Sequence, residues 1–339
     1  MSLAPDFQKI ATYGSWKGAK FVWAGANSFE DRALTSLEGM LARGAICEKA
    51  YLLDYSSAVH PKEIGEEKKR RNLVRVQELS RQAGFELQVV PLAPYVMDPA
   101  LSTFRFIEGE VLATYSPNFF LDLSCMTKID VLASSYFASR HHGTAISILY
   151  TIPDQYGTPA ADKVQSIGWT EPLVAPIVYD PSNYYPRSYG VVLPGHEGRR
   201  LKQALEAQTP EYGVVIRTST ASGAEAPFIT QRNNSWLLAE IQSGRWRNWR
   251  DIMLEVTETE KVSTYMRELS LKARANSKRL FIYPFGPKTY IFVVGYVSLS
   301  LIPELVWYSY PVPRSYDVDY SMGKGETYVC SLHEGERQD

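Results

Sequence analysis

The chain lacks the features that would assign it to several large functional classes. Its 339 residues include only three cysteines, Cys47, Cys125 and Cys330, which are too few and too scattered for a disulfide framework. We therefore expect reduced thiols and a cytoplasmic protein. No CxxC pair suggests zinc, and we expect neither a metal site nor a resident cofactor.

Charge and hydropathy exclude further classes. The formal net charge is −1, so the whole protein has no basic field to grip duplex nucleic acid, although a local basic site remains open. The first residues have no basic or apolar region typical of a secretory signal. The most apolar run, Tyr290 to Ile302, is too short to span a bilayer and predicts a buried helix. No membrane partner is expected.

Two common nucleotide-binding motifs are also missing. There is no GxGxxG after the first predicted strand and no GxxxxGK[ST] anywhere, which disfavours ordinary dinucleotide and P-loop sites. Hydrophobic residues make up 45% and charged residues 22%, which is typical of a globular protein. The length allows two domains, each with its own core.

The first half alternates apolar runs with helical patterns, which predicts a doubly wound α/β sheet. The predicted strands are Lys20 to Gly25, Lys49 to Asp54, Leu87 to Leu92, Asn118 to Leu123 and Ala145 to Ile152. The predicted helices begin with one capped by Ser28 and ended by Gly44, followed by Lys62 to Ala83, Pro99 to Tyr115 and Thr127 to His142.

The second half repeats this alternation less cleanly. Its predicted strands are Tyr189 to Leu193, Gly213 to Thr218, Asp251 to Val256, Arg279 to Tyr283 and Leu305 to Tyr310, with a final edge strand in Gly323 to Leu332. Its predicted helices are Gly198 to Ala207, Ser235 to Ser243, Lys261 to Ala275 and Lys288 to Leu301. We predict a first domain at 1–152, a stiff Pro- and Tyr-rich connector at 153–186 and a second domain at 187–339.

Three polar landmarks recur in the same order in both halves. The recurring segments are Phe29-Glu30-Asp31-Arg32 with His196-Glu197-Gly198-Arg199, Arg71-Asn72 with Arg232-Asn233, and Leu123 to Lys128 with Tyr283 to Lys288. Their spacings are 167, 161 and 160 residues (197 − 30, 232 − 71 and 288 − 128). We interpret this as an internal duplication that forms a pseudo-dimer, with the functional site where the halves meet.

The candidate binding residues follow the first and fourth strands of the first half. With a strand order of 3-2-1-4-5, these two loops meet at the point where the order reverses, which is where open α/β sheets bind ligands. The loop residues are Asn27, Ser28, Glu30 and Arg32, with Ser124, Thr127 and Lys128. A helix start with a lysine favours an anion. The alternative is that Ser124 and Thr127 cap a helix and that Lys128 is solvated.

The stretch from Asn118 to Lys128 resembles the CARF domains, the Rossmann-like sensors of cyclic oligoadenylates in type III CRISPR systems. Those domains end strand four in a small polar turn followed by Thr-Lys and a helix. The tandem of two halves resembles the SAVED arrangement, a fused CARF pair that reads cyclic nucleotides in antiphage defence. The chain departs from the pattern at Met126, where glycine is common, and at Pro287-Lys288, which replaces Thr-Lys.

The resemblance implies two Rossmann-like domains that bind a nucleotide-type ligand, such as a cyclic oligonucleotide, in antiviral defence. Ser124, Thr127 and Lys128 would contact phosphate or ribose, with Asn27 and Ser28 beside them. We group Glu30 and Arg32 with Lys128 in one lobe, and Glu197 and Arg199 with Lys288 in the other. No effector module is visible, so we expect the signal to pass to a separate partner protein.

Two other classes of function stay open. One is a metal-independent phosphodiesterase like the ring nucleases, in which Ser124 or Thr127 would act with Lys128 on a ribose 2′-hydroxyl. The other is a non-catalytic scaffold subunit of a defence complex, whose landmarks only hold the halves together. These alternatives differ in whether the chain is an enzyme.

Three weaker candidates have simpler explanations. Cys125 could be a nucleophile at a helix start, but no local base accompanies it, which favours a small buried thiol. The pair His141-His142 suits a helix C-terminus better than a metal. The segment Arg245 to Arg250 mixes basic and aromatic residues as single-strand binders do, and is more typical of a partly buried turn.

Overall fold

The computed structural model describes most of the chain, and the fold is given for that part. The described residues are 5, 7–55, 63–92, 109, 118–140, 146–156, 166–177, 187–208, 210–219, 230–244, 248–316 and 321–332. Apart from residue 109, the predicted helix at Pro99 to Tyr115 lies outside them, as do His141-His142 and Arg245-Trp246-Arg247.

The protein is a mixed α/β fold with two large sheets rich in parallel strands. The strands up to the second half are β1 (Gln8–Lys9), β2 (Lys20–Asn27), β3 (Ile46–Tyr55), β4 (Glu86–Leu92), β5 (Phe119–Asp122), β6 (Ile146–Thr151), β7 (Gln155–Tyr156) and β8 (Ser166–Pro176). The others are β9 (Ser188–Leu193), β10 (Tyr212–Thr218), β11 (Trp249–Leu254), β12 (Arg279–Pro284), β13 (Val306–Tyr316), β14 (Ser321–Met322) and β15 (Thr327–Ser331).

The helices alternate with these strands. They are α1 (Thr35–Ala42), α2 (Glu63–Ala83), α3 (Lys128–Arg140), α4 (Gly198–Ala207), α5 (Ser235–Gln242), α6 (Thr259–Ala275) and α7 (Lys288–Leu301). Gly44 and Gly84 follow the ends of α1 and α2 with φ of 81° and 75°, the left-handed conformation that commonly closes a helix. Within the described ranges, no helix has the length and apolar character that crossing a bilayer requires.

The two large sheets share one strand order. In the first, the parallel strands run β4-β3-β2-β5-β6. In the second they run β11-β10-β9-β12-β13, also parallel. The order 3-2-1-4-5 that places a ligand site between the first and fourth strands is therefore present in both sheets. The common order fits an internal duplication, but common ancestry of the halves stays a prediction.

Each large sheet is extended by an antiparallel strand from beyond its predicted domain. Strand β15, near the C-terminus, pairs with β6 of the first sheet. Strand β8, from the predicted connector, pairs with β13 of the second sheet. The short strands β7 and β14 pair with each other. The second sheet thus takes a strand from the connector, and the first sheet takes one from the end of the second half, which ties the halves together.

The division into domains at 1–152, 153–186 and 187–339 stays a prediction, although the membership of the two sheets does not follow its boundaries. Residues 327–331 belong to the first sheet, and the connector supplies a strand to the second. Strand β15 is also not an edge strand, since β1 pairs with its outer side. The boundaries were drawn along the chain, whereas the partner of an edge strand depends on tertiary packing that its own sequence does not specify.

Helices α3 and α7 form the contact between the halves. Both are buried almost throughout, and they pack against each other. They pack closely at Gly295, where an added Cβ would lie 2.1 Å from Ser135 Oγ and 3.2 Å from Leu132 Cδ2. One continuous hydrophobic cluster includes residues of both sheets, such as Leu121 and Phe281. The small residues at 135 and 295 therefore let the two halves share one core.

One predicted helix start is wrong. Ser28 was expected to cap the first helix, but α1 begins at Thr35, and the residues between them form bends and turns. Ser28 Oγ instead accepts a hydrogen bond from the Glu30 N–H at 3.2 Å. Asn72 of α2 donates to the carbonyls of Ser28 and Glu30, at 2.7 Å and 3.3 Å. Those carbonyls are held by a neighbouring helix, so the segment stays a loop.

Candidate functional site

The loops at the carboxyl ends of the central strands meet at the contact between the halves. In the first sheet these loops follow β2 and β5, and in the second they follow β9 and β12. This is the edge at which open α/β sheets bind ligands. Helices α3 and α7 begin there with Lys128 and Lys288.

The two lysines cross from one half to the other. Lys128 Nζ donates a hydrogen bond to the carbonyl oxygen of Phe285, in the turn after β12. Lys288 Nζ donates to the carbonyl oxygen of Ser124, in the turn after β5. Each lysine thus contacts the turn that precedes the other lysine, and the arrangement is close to twofold symmetric. We call Lys128, Lys288 and these two carbonyls the crossed lysine pair.

The environment disfavours the charged form of both lysines. Burial lowers the pKa of Lys128 to about 7, the nearby cations Arg200 and Lys288 lower it further, and Glu197 opposes the shift. Burial also lowers the pKa of Lys288, while Glu30 acts in the opposite direction. Both side chains remain half-buried at the surface rather than enclosed. A bound anion would remove this electrostatic cost.

Each loop after the first strand of a sheet carries a buried ion pair. In the first half, Arg32 Nε lies 2.7 Å from Glu30 Oε2, and Arg32 Nη1 donates to the carbonyl of Thr151 at 2.6 Å. The Arg32 guanidinium lies 5.6 Å from the ring centroid of Tyr150. The arginine therefore connects the loop after β2 to the end of β6.

The second half contains the corresponding pair with a different arginine. Arg200 pairs with Glu197 and donates to the carbonyl of Pro311, at 3.1 Å from Nε and 2.6 Å from Nη2. Its guanidinium lies 4.8 Å from the ring centroid of Tyr310. Arg199, which the repeat placed opposite Arg32, is exposed. Glu197 precedes a regular helix, where residues three apart share a face, so the arginine that meets it is Arg200.

The lysines exchange lobes relative to the grouping drawn from the sequence. Lys128 was grouped with Glu30 and Arg32, yet the charges that act on it are those of Glu197 and Arg200. Lys288 was grouped with Glu197, yet the charges that act on it are those of Glu30 and Arg32. Each lobe therefore combines an ion pair from one half with a lysine from the other. The crossing of α3 and α7 causes this exchange, and no local sequence signal reports it.

The third recurring landmark supports the loops from behind. Asn72 holds the loop after β2, as described above. In the second half, Asn233 donates to the carbonyl of His196, and Asn234 donates to the carbonyl of Gly195 at 2.7 Å. The asparagines of this landmark thus fix the loop backbone, while Arg71 and Arg232 are exposed.

The remaining predicted contacts are committed to neighbouring side chains. Asn27 is buried and donates to Asp54 Oδ1 at 3.2 Å. Thr127 Oγ1 donates to Asp130 and accepts the Asp130 N–H at 3.2 Å. Ser124 Oγ donates to Asp122 and accepts the Thr151 N–H at 2.7 Å. Contact of any of these three residues with a ligand stays a prediction.

Asp122 and Ser36 were missed at the level of sequence. Asp122 ends β5 and is buried, and it accepts hydrogen bonds from Ser36 Oγ and from both the N–H and the hydroxyl of Ser124. Burial raises the pKa of the Asp122 carboxyl, although these bonds and Arg32 oppose the shift. An Asp two residues before the Ser-Cys-Met-Thr turn was the available signal.

The charges of the site suit an anion, and its thiol is a poor nucleophile. Four basic side chains lie around two largely buried carboxylates, those of Glu30 and Glu197, and Asp122 is buried nearby. Burial raises the pKa of the Cys125 thiol, which disfavours the reactive thiolate. Burial and Lys128 lower the pKa of His196 to about 4, so its imidazole is neutral at pH 7. Within the described part of the chain, no three His, Cys, Asp or Glu side chains form a metal-binding group.

Comparison with known proteins gives a likeness of fold. No protein-family model and no curated protein matches the chain. It is similar to a solved DNA nuclease of type III CRISPR defence that is activated by cyclic oligoadenylate, with a TM-score of 0.50 and 8% identity. The match covers 83% of this chain and 64% of the nuclease chain, so this chain spans less than two thirds of the nuclease.

A second solved structure adds nothing to this likeness. L-sorbose reductase from Gluconobacter frateurii, complexed with NADPH and L-sorbose, matches 91% of this chain and 98% of its own, with 8% identity. Its TM-score of 0.24 is too low to carry an argument.

Proposed function

We propose that the chain is a sensor in antiviral defence that binds a cyclic oligonucleotide at the crossed lysine pair. The observation that carries this proposal is the convergence of Lys128 and Lys288 on the carboxyl edges of two sheets with the same strand order. A ring of phosphates presents several anions around one centre. Two lysines related by an approximate twofold axis offer matching cations.

The fold likeness supports the class of ligand. The nuclease of similar fold is activated by cyclic oligoadenylate, and we carry that ligand class over to this chain as part of the proposal. The internal duplication belongs to the same proposal, because two related halves in one chain would give a single chain the twofold site that a cyclic ligand fits.

The energetics of the lysines support an anionic ligand. Burial lowers the pKa of Lys128 to about 7, so its ammonium form is disfavoured near neutral pH. A phosphate within hydrogen-bond distance favours the ammonium form and makes a charge-assisted bond. Binding should therefore raise the pKa of Lys128 and take up protons from solution near pH 8.

The test is calorimetric titration of the full chain with cyclic tri-, tetra- and hexa-adenylate. We expect one ring to bind tightly, and Lys128→Met and Lys288→Met each to weaken its binding about 5- to 150-fold, or about 1–3 kcal/mol. Lys261→Met is the matched control, because the Lys261 side chain is exposed on α6 and pairs with Glu258. If the two lysine variants bind the ring as tightly as the control variant does, the crossed lysine pair is not the binding site.

A scaffold role is the second candidate, and one observation favours it. The ammonium groups of Lys128 and Lys288 and the guanidinium groups of Arg32 and Arg200 all bond to protein atoms. A protein that binds no ring but is destabilised by loss of either lysine would fit the scaffold. Cleavage of the ring during the titration, detected by chromatography, would instead indicate a phosphodiesterase.

A further inference from the structure

The crossed lysine pair joins the ends of two helices that touch again farther along. Ser135 and Gly295 mark the close approach of α3 and α7. Each lies seven residues after its lysine (135 − 128 and 295 − 288), which is about 10 Å along a helix axis. The helices therefore have a tight contact between small residues and, near their N-termini, the hydrogen bonds of the crossed lysine pair.

We propose that the crossed lysine pair is a latch that an anionic ligand opens. In the closed state each ammonium holds the carbonyl of the opposite turn. In the open state both ammonium groups bind the ligand, and the N-terminal ends of α3 and α7 turn relative to each other about the contact of Ser135 with Gly295. The latch rests on the proposed function, because it assigns to the same site the step that transmits binding.

The carbonyl of the opposite turn and the anionic ligand compete for the same lysine ammonium group, and this competition couples binding to opening of the latch. A ligand shifts a conformational equilibrium only if it binds one state better than the other. An ammonium prefers an anionic phosphate oxygen to a neutral carbonyl, since charge-assisted bonds between two ions are stronger. The released carbonyls of Ser124 and Phe285 would be solvated. Binding would thus be coupled to loss of two bonds between the halves.

The packing of α3 and α7 suits a small rotation. Their contact combines a glycine with a serine whose hydroxyl donates to the carbonyl of Leu132 at 2.7 Å within its own helix. In the described structure the Ser135 hydroxyl bonds within α3 and not to α7, so sliding at this contact breaks no hydrogen bond of Ser135. Packed helices shift past each other by about 1–2 Å in known allosteric transitions. The sheets on either side would move with them.

Spin labels on the two halves would measure this movement in the full chain. Arg81 of α2 and Arg274 of α6 are exposed and flank different sheets, so Arg81→Cys with Arg274→Cys gives a labelled pair. The native thiols should react slowly, because Cys47 and Cys330 are buried and burial raises the pKa of Cys125. The chain without added cysteines is the labelling control. Distances are recorded alone and with cyclic tri-, tetra- and hexa-adenylate.

We expect a binding ring to shift the mean label distance by about 2 Å or more. The variant Lys128→Met with Lys288→Met should show a shifted or broadened distance without any ring. A ring that binds by calorimetry but leaves the wild-type distance unchanged would overturn the latch and leave the proposed function standing. This arm needs no lysine variant to fold. Failure of every ring to bind would overturn the proposed function and the latch with it.

Discussion

The two lobes of the site carry the same charged groups at their edge, which we call the rim, and different residues below it. Both rims carry a Glu–Arg pair and a lysine from the opposite half. The arginine donates to a carbonyl of the fifth parallel strand of its sheet, Thr151 in β6 or Pro311 in β13. Under the first rim lies Asp122, bonded to Ser36 and Ser124. The position that corresponds to Asp122 in the second half lies 160 residues later, the spacing between Lys128 and Lys288. It is occupied by Ile282, a buried apolar residue of β12. The rims therefore match in chemistry, whereas the supports do not.

This difference distinguishes groups that would contact a ligand from groups that stabilise one half. If both lobes contact one symmetric ligand, the groups that touch it should recur, and the groups below need only hold each loop in place. The Glu–Arg pairs and lysines recur, which is what the proposed ligand site requires. Asp122 has no counterpart, so we expect it to affect the stability of the first half rather than the symmetry of binding.

The largest expected effect tests whether the two ion pairs are equivalent. Arg200→Met should lower the free energy of unfolding by about 3–5 kcal/mol, because it leaves Glu197 buried without its cation. Arg32→Met should cost a similar amount in the first lobe. Chemical denaturation followed by circular dichroism measures both.

Arg199→Met is the matched control for Arg200, since Arg199 is the exposed neighbour on α4. We expect it to change stability by less than about 0.5 kcal/mol. A large cost for Arg199 with a small cost for Arg200 would contradict the assignment of the pair in the second lobe.

The next effect concerns the contact of the halves at 135 and 295. Gly295→Ser should destabilise by about 1–3 kcal/mol, because the new Cβ meets Ser135 Oγ and Leu132 Cδ2. The exchange Ser135→Gly with Gly295→Ser should recover most of that loss, since it moves the serine to the other helix. Thermal unfolding of the single and double variants would show this. A double variant as unstable as Gly295→Ser would argue against a near-symmetric crossing.

A smaller effect should reveal the unmatched support. The folded pKa of Asp122 is raised above the ordinary value of 3.8, so the folded state binds the proton more tightly than the unfolded chain. Its contribution to stability is therefore lost as pH rises from about 4. Asp122→Asn cannot ionise, so the wild type should lose stability relative to it by on the order of 1 kcal/mol per pH unit in that window. Parallel stability curves for the two proteins would refute this.

The smallest effect concerns Lys128 and has the opposite pH direction. Its folded pKa of about 7 lies below the ordinary value of 10.5, so between these values the unfolded chain binds the extra proton. Stability should then rise with pH between about 7 and 10 by less than about 1 kcal/mol per pH unit, since the side chain is only half-buried. Lys128→Met should remove this part of the slope. Equal slopes in urea denaturation would contradict the lowered pKa.

The sequence was sufficient for the local elements that have strong periodic signals. The bounds of α4 and α7 agree with those predicted, α4 from its amphipathic pattern and α7 as an apolar run between Pro287 and Pro303. The repeat also located Lys128 and Lys288 at equivalent positions. The strand order 3-2-1-4-5 was assumed, and both sheets have it.

The sequence was insufficient wherever tertiary packing decides. Arg199 and Arg200 differ by one position, and only the helical register of α4 shows that Arg200 faces Glu197. The exchange of lysines between lobes depends on how α3 and α7 cross. The partners of β8 and β15 depend on which sheet edges are open. None of these three facts has a local sequence signature.

The most direct test is mass spectrometry of small molecules released from the protein purified from its native host. We expect a cyclic oligonucleotide to be released from the wild type and to be absent from the folded variant Lys128→Met with Lys288→Met. A wild-type protein that is folded, purified after activation of host defence and free of any nucleotide would contradict it. So would a nucleotide that the double variant retains in equal amount.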